Sequence, residues 1–132
     1  MVLGVQQAAP EIFATPTNNG MLTAAILNQD GIVNSTGHPA HIGDTVAMFV
    51  SGVGQTNPAG VDGAIPSAAG GTPVLPIMVQ LMSVGVNAPS ANVTYAGNAP
   101  GLVSGVTQVN FQVPSVIPVG AGPPIQRGSV CM

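Results

Sequence analysis

Charge is nearly missing from this chain. Five of its 132 residues are formally charged, Glu11, Asp30, Asp44, Asp62 and Arg127, which is 4%, against about 25% in typical soluble domains. With Lys+Arg at 1, the chain cannot neutralise a run of phosphates, so nucleic acid is excluded as a partner. An anionic membrane surface needs a basic patch and is excluded for the same reason. Long apolar runs are also missing. Gly, Pro, Asn, Gln or Asp interrupts every stretch approaching the roughly 20 residues of a membrane helix, so no membrane insertion is expected. Met1 to Gln7 has neither the basic nor the long apolar region of a signal peptide, so an export signal, if used, is removed or lies upstream. The one cysteine, Cys131, has no partner for an internal disulfide. Its bland reading is an inert terminal thiol, and its functional reading a cross-link between chains. Tryptophan is absent, with three Phe and one Tyr, so there is no aromatic platform for carbohydrate.

What the chain does contain is enough to fold. Hydrophobic residues make up 45%, which excludes a disordered tail. Gly 18 and Pro 13 stay below the combined share of about 25–30% that marks low complexity. A chain of this mass is expected to fold as one domain, residues 1–132, with a folded surface of roughly 6,300 Å². Five charges on that area is about one per 1,250 Å², while each partner in a standard interface gives about 800 Å². Uncharged patches of interface size are therefore expected. One reading is a surface made to pack on copies or partners. The other is a polar, uncharged surface of Asn, Gln, Ser and Thr.

Alternating and β-branched runs between Gly, Pro and Asn clusters predict an all-β chain. Candidate strands are Val2 to Val5, Glu11 to Thr15, Met21 to Gln29, Ile32 to Asn34, Asp44 to Ser51, Ile77 to Val84, Asn92 to Ala96 and Val106 to Val113. Asp30-Gly31 is a tight-turn signal. In Asp44 to Ser51, Val46, Met48 and Val50 share one face and Thr45, Ala47 and Phe49 the other, which suits a central strand. In Val106 to Val113, Thr107, Val109, Phe111 and Val113 form the apolar face, and Pro114 closes the strand. Residues 52–76 form a long Gly/Pro-rich loop without a clear period. It reads as functional or mobile, with room for an edge strand near Gly63 to Ile65. Residues 115–132 read as a Pro-rich tail or edge strand, the strand over Ile125 to Val130. No helical stripe is found. About seven strands predict a β-sandwich.

Four short signatures occur in order: AAPEIFAT (Ala8 to Thr15), AAILNQDGIVNS (Ala24 to Ser35), HPAHIGDTVAMFVSGVGQT (His38 to Thr56) and ANVTYAGNAPGLVSGVTQVNFQVP (Ala91 to Pro114). Together they resemble the C-terminal domain family of uncharacterised exported proteins of Solibacter and other acidobacteria. The resemblance implies an immunoglobulin-like, IPT/TIG-type sandwich, export, attachment to larger surface proteins, and no established catalytic residue. The chain departs from that pattern in its 52–76 loop and its tail, which leaves open whether the last strand pairs within its own chain.

Several residues merit weighing as sites. His38, His41 and Asp44 are ligand types for zinc or copper, but in an extended chain they do not converge, and a solvated loop is the better reading. The resemblance gives Asp44 a turn or capping role. Glu11, Asp30 and Asp62 are oxygen ligands for calcium, yet turn chemistry alone explains Asp30-Gly31 and Asp62-Gly63. Ser51-Gly52-Val53-Gly54 lacks the order of a hydrolase elbow, and its glycines instead permit a strained turn. Gly97 to Gly101 lacks the Lys and Ser/Thr of a phosphate loop and reads as a turn. Tyr95 could stack on a sugar; the better reading is a buried ring with its hydroxyl bonded to a loop. Asn34-Ser35-Thr36 and Asn92-Val93-Thr94 match a glycosylation sequon, as chance would also produce. The expectation is thus no enzyme, no catalytic, cofactor or metal site, and no cofactor. The leading function is a non-catalytic extracellular structural module that self-assembles into a filament or surface layer by strand or edge packing, with copies of itself or another cell-surface protein as partner. The alternative is a monomeric interaction or spacer module of a larger cell-surface protein, presenting the 52–76 loop.

Overall fold

The computed structural model describes residues 4–16, 20, 22–81, 90–115 and 129–130. It is all-β. The described residues form β1 (Glu11–Ile12), β2 (Ala14–Pro16), β3 (Leu22–Ala24), β4 (Ile26–Leu27), β5 (Ala40–His41), β6 (Thr45–Ser51), β7 (Thr56–Asn57), β8 (Thr72–Pro73), β9 (Val79–Gln80), β10 (Ser90–Asn98), β11 (Thr107–Gln112) and β12 (Ser129–Val130). No helix among the described residues is long and apolar enough to cross a membrane.

The centre is the antiparallel pair β6–β11, in register from Thr107↔Val50 to Gln112↔Thr45. Side chains alternate across a strand, so successive pairs fall on opposite faces. Val46↔Phe111, Met48↔Val109 and Val50↔Thr107 lie on the buried face. Thr45↔Gln112, Ala47↔Asn110 and Phe49↔Gln108 lie on the other, which is mostly half-buried. Both face assignments made from the sequence hold. Beyond the ladder, Val113 N–H donates to Asp44 O at 2.9 Å and Gly43 N–H to Val113 O at 2.9 Å. Pro114 then ends the strand, having no N–H to give.

On one side β11 pairs with β10, which carries β9 at its far end; on the other side β6 pairs with β1 and with β4. A single hairpin supplies those last two strands. Its inner part is the ribbon β2–β3, with Thr15↔Thr23 at its middle. At Phe13 and Ala25 the two legs change partner: Phe13 N–H donates to Phe49 O, and Ala25 N–H to Phe13 O. Below that point β1 pairs with Val50 and Ser51, while β4 pairs with Ala47 and Met48. The result is a curled six-stranded antiparallel sheet, β1-β6-β11-β10-β9 with β4 also on β6, and three two-stranded ribbons, β2–β3, β5–β12 and β7–β8.

This arrangement is coarser than the seven-strand sandwich read from the sequence. Glu11 to Thr15 and Met21 to Gln29 are each broken by a change of partner. Ile32 to Asn34 contributes only the isolated bridge Leu27↔Val33. Gly4 and Val5 are not in a strand, and the remainder of Val2 to Val5 lies outside the described residues. Ile77 to Val84 shortens to β9, with 82–84 outside the described residues. Asn92 to Ala96 lengthens into β10. The expected edge strand near Gly63 to Ile65 is instead a turn, closed by Ala64 N–H donating to Val61 O at 3.0 Å. The strands of the 52–76 segment are β7 and β8. The last strand does pair within its own chain, through Ser129↔His41 and Val130↔Ala40.

The 52–76 segment is fixed by backbone bonds, which have no side-chain period. Gly101 N–H donates to Pro66 O, Ser104 N–H to Ala64 O, Asn98 N–H to Gly70 O and Val74 N–H to Gln55 O, all within 2.6–2.8 Å. The core is Ile26, Ala40, Val46, Met48, Val50, Val53, Val79, Ala91, Val109, Phe111 and Val113.

The two faces of β11 should respond oppositely to charge. Thr107 is 4% exposed, and Thr107→Lys should cost several kcal/mol, on the order of 3 or more, through burial of an unpaired ammonium. Gln112 is exposed and bonds only Gly43 O at its amide nitrogen, so Gln112→Lys should stay within about 1 kcal/mol. Denaturant melts of both variants check this; equal losses would mean the face assignment is wrong.

Candidate functional site

The sequence candidates fall into several places, with Asp30, His38, His41 and Asp44 along one cleft. Asp30 and Gly31 turn the hairpin after β4: Gly31 N–H donates to Asn28 O at 2.8 Å and Asn28 N–H to Ile32 O at 2.8 Å. Asp30 Oδ1 accepts from Ile32 N–H at 3.0 Å, and its Oδ2 lies 2.7 Å from His38 Nε2. These two contacts, the Ile32 amide first, hold the Asp30 carboxyl below the usual carboxylate range. Below the turn, buried Asn34 donates from Nδ2 to Asn28 Oδ1 at 2.8 Å, and Asn28 donates from Nδ2 to His38 O at 2.8 Å. Two buried amides therefore tie the hairpin to the His38 backbone. A buried amide bonded in this way is costly to disrupt. The Asn34 sequon nitrogen is turned inward and bonded, while Asn92 is exposed on β10.

His41 and Asp44 form a second hydrogen-bonded group, and they line one shallow cleft of about 300 Å³ together with Asp30 and His38. Asp44 Oδ2 accepts from His41 N–H at 2.9 Å, and Asp44 N–H donates to His41 O at 3.1 Å. This is the turn role expected of Asp44. His38 thus belongs with Asp30, and His41 with Asp44. Among the described residues no three His, Cys, Asp or Glu side chains are grouped to hold a metal ion. Glu11 sits on β1 opposite Ser51, and Asp62 sits in the turn beside Gly63, so Glu11, Asp30 and Asp62 are not brought together. Tyr95 is half-buried; its hydroxyl donates to Asn98 O at 2.7 Å and accepts from Gly70 N–H at 3.3 Å. It anchors the 52–76 segment to β10, as the loop-bonded reading expected.

The feature the sequence did not disclose is an apolar trough. The curl of the sheet brings both of its edges, β1 and β9, to one cavity of about 550 Å³. Its floor is the buried face of β6 and β11, with Met48, Val50, Val109 and Phe111. One wall is Ala8, Pro10 and Ile12, and the other runs from Leu75 to Leu81. Among the described residues, none that line it is charged. Met78 on the rim is 78% exposed. The run Leu75-Pro76-Ile77-Met78 was the available signal, as an apolar stretch interrupted by proline and unable to continue as a paired strand.

Beside the trough, the Ser51-Gly52-Val53-Gly54 turn holds the N-terminal arm. Gly52 and Gly54 have φ of +72° and +85°; a Cβ on Gly52 would lie 2.3 Å from Ala9 O, and one on Gly54 2.5 Å from Gln7 O. Only glycine allows both the positive φ and the close approach. Ala9 N–H donates to Gly52 O at 2.9 Å. Gln6 and Gln7 are thereby drawn into a second, polar cleft of about 530 Å³ with Gln55, Thr56, Asp62 and Asn98. The turn thus has the strained-glycine role read from the sequence, and its object is the arm.

No family model, no curated protein and no solved structure matches this chain.

Two glycine variants separate the arm contact from backbone strain. Gly31 has φ of +80° and open space around its Cβ position, so Gly31→Ala should cost only the left-handed penalty of about 1–2 kcal/mol. Gly52→Ala adds a backbone clash and should lower the melting temperature clearly further. Matching melting temperatures would mean that the arm does not lie across the turn.

Proposed function

We propose that this chain is a non-catalytic structural module that self-assembles by strand or edge packing into a filament or surface layer outside the cell. The observation that carries the reading is the uncharged apolar trough bordered by both edges of the sheet. Natural sheets guard their edges with lysine, proline, inward charge or closure. Here Pro10 and Pro76 in the two walls are the only such guards among the described lining residues; there is no lysine, and the formal net charge is −3, weak protection against self-association. Ile12, Leu75 and Met78 add exposed apolar area at the trough itself. Copies of the chain, or another cell-surface protein, are the partners this surface suits. The curled sheet is read as an immunoglobulin-like sandwich of the exported acidobacterial kind, in keeping with the four sequence signatures; export and a cell-surface location follow from that resemblance.

A second reading has its own support. The 52–76 segment is held by β7–β8 and presents Val61, Ile65 and Val74 outward. A monomeric spacer or interaction module of a larger surface protein would use that loop to meet a partner.

Light scattering on a size-exclusion column, with negative-stain images of the same fractions, separates the two. Self-assembly gives masses well above 13.0 kDa that rise with concentration, and regular filaments or sheets in the images. A 13.0 kDa species at every concentration would contradict self-assembly and leave the spacer reading.

A further inference from the structure

We propose that the trough is the acceptor for the N-terminal arm of a second copy of this chain, so that copies join head to tail by strand donation. The inference deepens the self-assembly reading and rests on it. Three observations identify the occupant. The lining is apolar and uncharged and lies between two sheet edges. An extended apolar segment seated there would run beside the outer edges of β1 and β9, the mode of β-strand addition. The arm has matching chemistry: the first charge in the chain is Glu11, and Val2, Leu3 and Val5 supply apolar side chains. Val5 is 94% exposed, and among the described residues the first backbone hydrogen bond of the chain is that of Ala9.

The third observation rules against the arm's own trough. Ala8 and Pro10 already form one wall of it, and from there the Gly52–Gly54 turn draws Gln7 and Gln6 the other way, into the polar cleft. To enter its own trough the arm would have to reverse and break the Ala9–Gly52 bond. The direction of the arm thus carries Val5 away from its own acceptor. Donor and acceptor are different surfaces of one chain, so the contact is heterologous and propagates as an open filament rather than closing as a dimer.

The test mixes two full-length variants in a Cys131→Ser background, Val5→Cys and Met78→Cys, with a short bismaleimide cross-linker. Both positions are exposed, so neither change threatens folding. The expected result is a Val5–Met78 cross-linked pair, absent when Val61→Cys, exposed but outside the trough, replaces Met78→Cys. A Met78→Glu variant should raise the concentration needed for assembly by about tenfold or more, which is a cost of about 1.4 kcal/mol or more. Filaments in which Val5 couples no better to Met78 than to Val61 would overturn arm donation and leave self-assembly standing. No filament and no coupling would overturn both. Coupling within one chain of the double variant, independent of dilution, would show the arm in its own trough and also overturn the proposal.

Discussion

Everything in this molecule hangs on the pairing of β6 with β11. Six consecutive residue pairs join the two strands, and alternate pairs place Phe111 on Val46 and Val109 on Met48 against the buried face. Phe111, Val46 and Val109 are among the largest fully buried side chains, each contributing about 1.5–3 kcal/mol by burial. Among the described residues, only β10 on β11 matches that length. The hairpin legs β1 and β4 dock on the outer edge of β6, and β10 with β9 docks on β11. The central pair therefore sets the position of both sheet edges, and hence the width of the trough.

The buried face of a sheet needs a cover, because a single layer leaves half of its apolar side chains in water. In this chain the sheet curls and its own edges supply part of that cover, Ile12 from one side and Val79 from the other. The rest of the opening is lined by uncharged groups. Polar interactions are placed away from it, in the Asn28–Asn34–His38 network and in the Tyr95 contacts. These hold the hairpin and the 52–76 segment, and they leave the trough apolar. The two glycines of the Ser51–Gly54 turn then set the course of the arm.

The strands that could be read in advance are those whose side chains alternate and stay with one neighbour. Val46/Met48/Val50 and Thr107/Val109/Phe111/Val113 were legible for that reason. The Asp30-Gly31 turn was legible because its chemistry is local. The breaks at Phe13 and Ala25 were not, because a change of strand partner leaves no mark on periodicity. The 52–76 segment reads as an irregular loop because backbone bonds hold it, from Gly70 to the end of β10 and from Pro66 and Ala64 to the turn beyond. Of the site residues, Tyr95 and Asp44 have the local roles read for them, and His38 and His41 sit in different hydrogen-bonded groups. The trough escaped notice because its walls, Ala8 to Ile12 and Leu75 to Leu81, are far apart in the chain and meet only through the curl.

The most direct test of the account is a concentration series of methionine methyl NMR spectra on the full chain. Met48 is 7% exposed on the trough floor and Met78 is 78% exposed on its rim. Occupation of the trough by another copy should shift or broaden the Met78 methyl signal as concentration rises, with a smaller change at Met48, which is already buried beneath it. Met78 and Met48 signals unchanged from dilute to millimolar protein would contradict the claim that the trough is where copies meet.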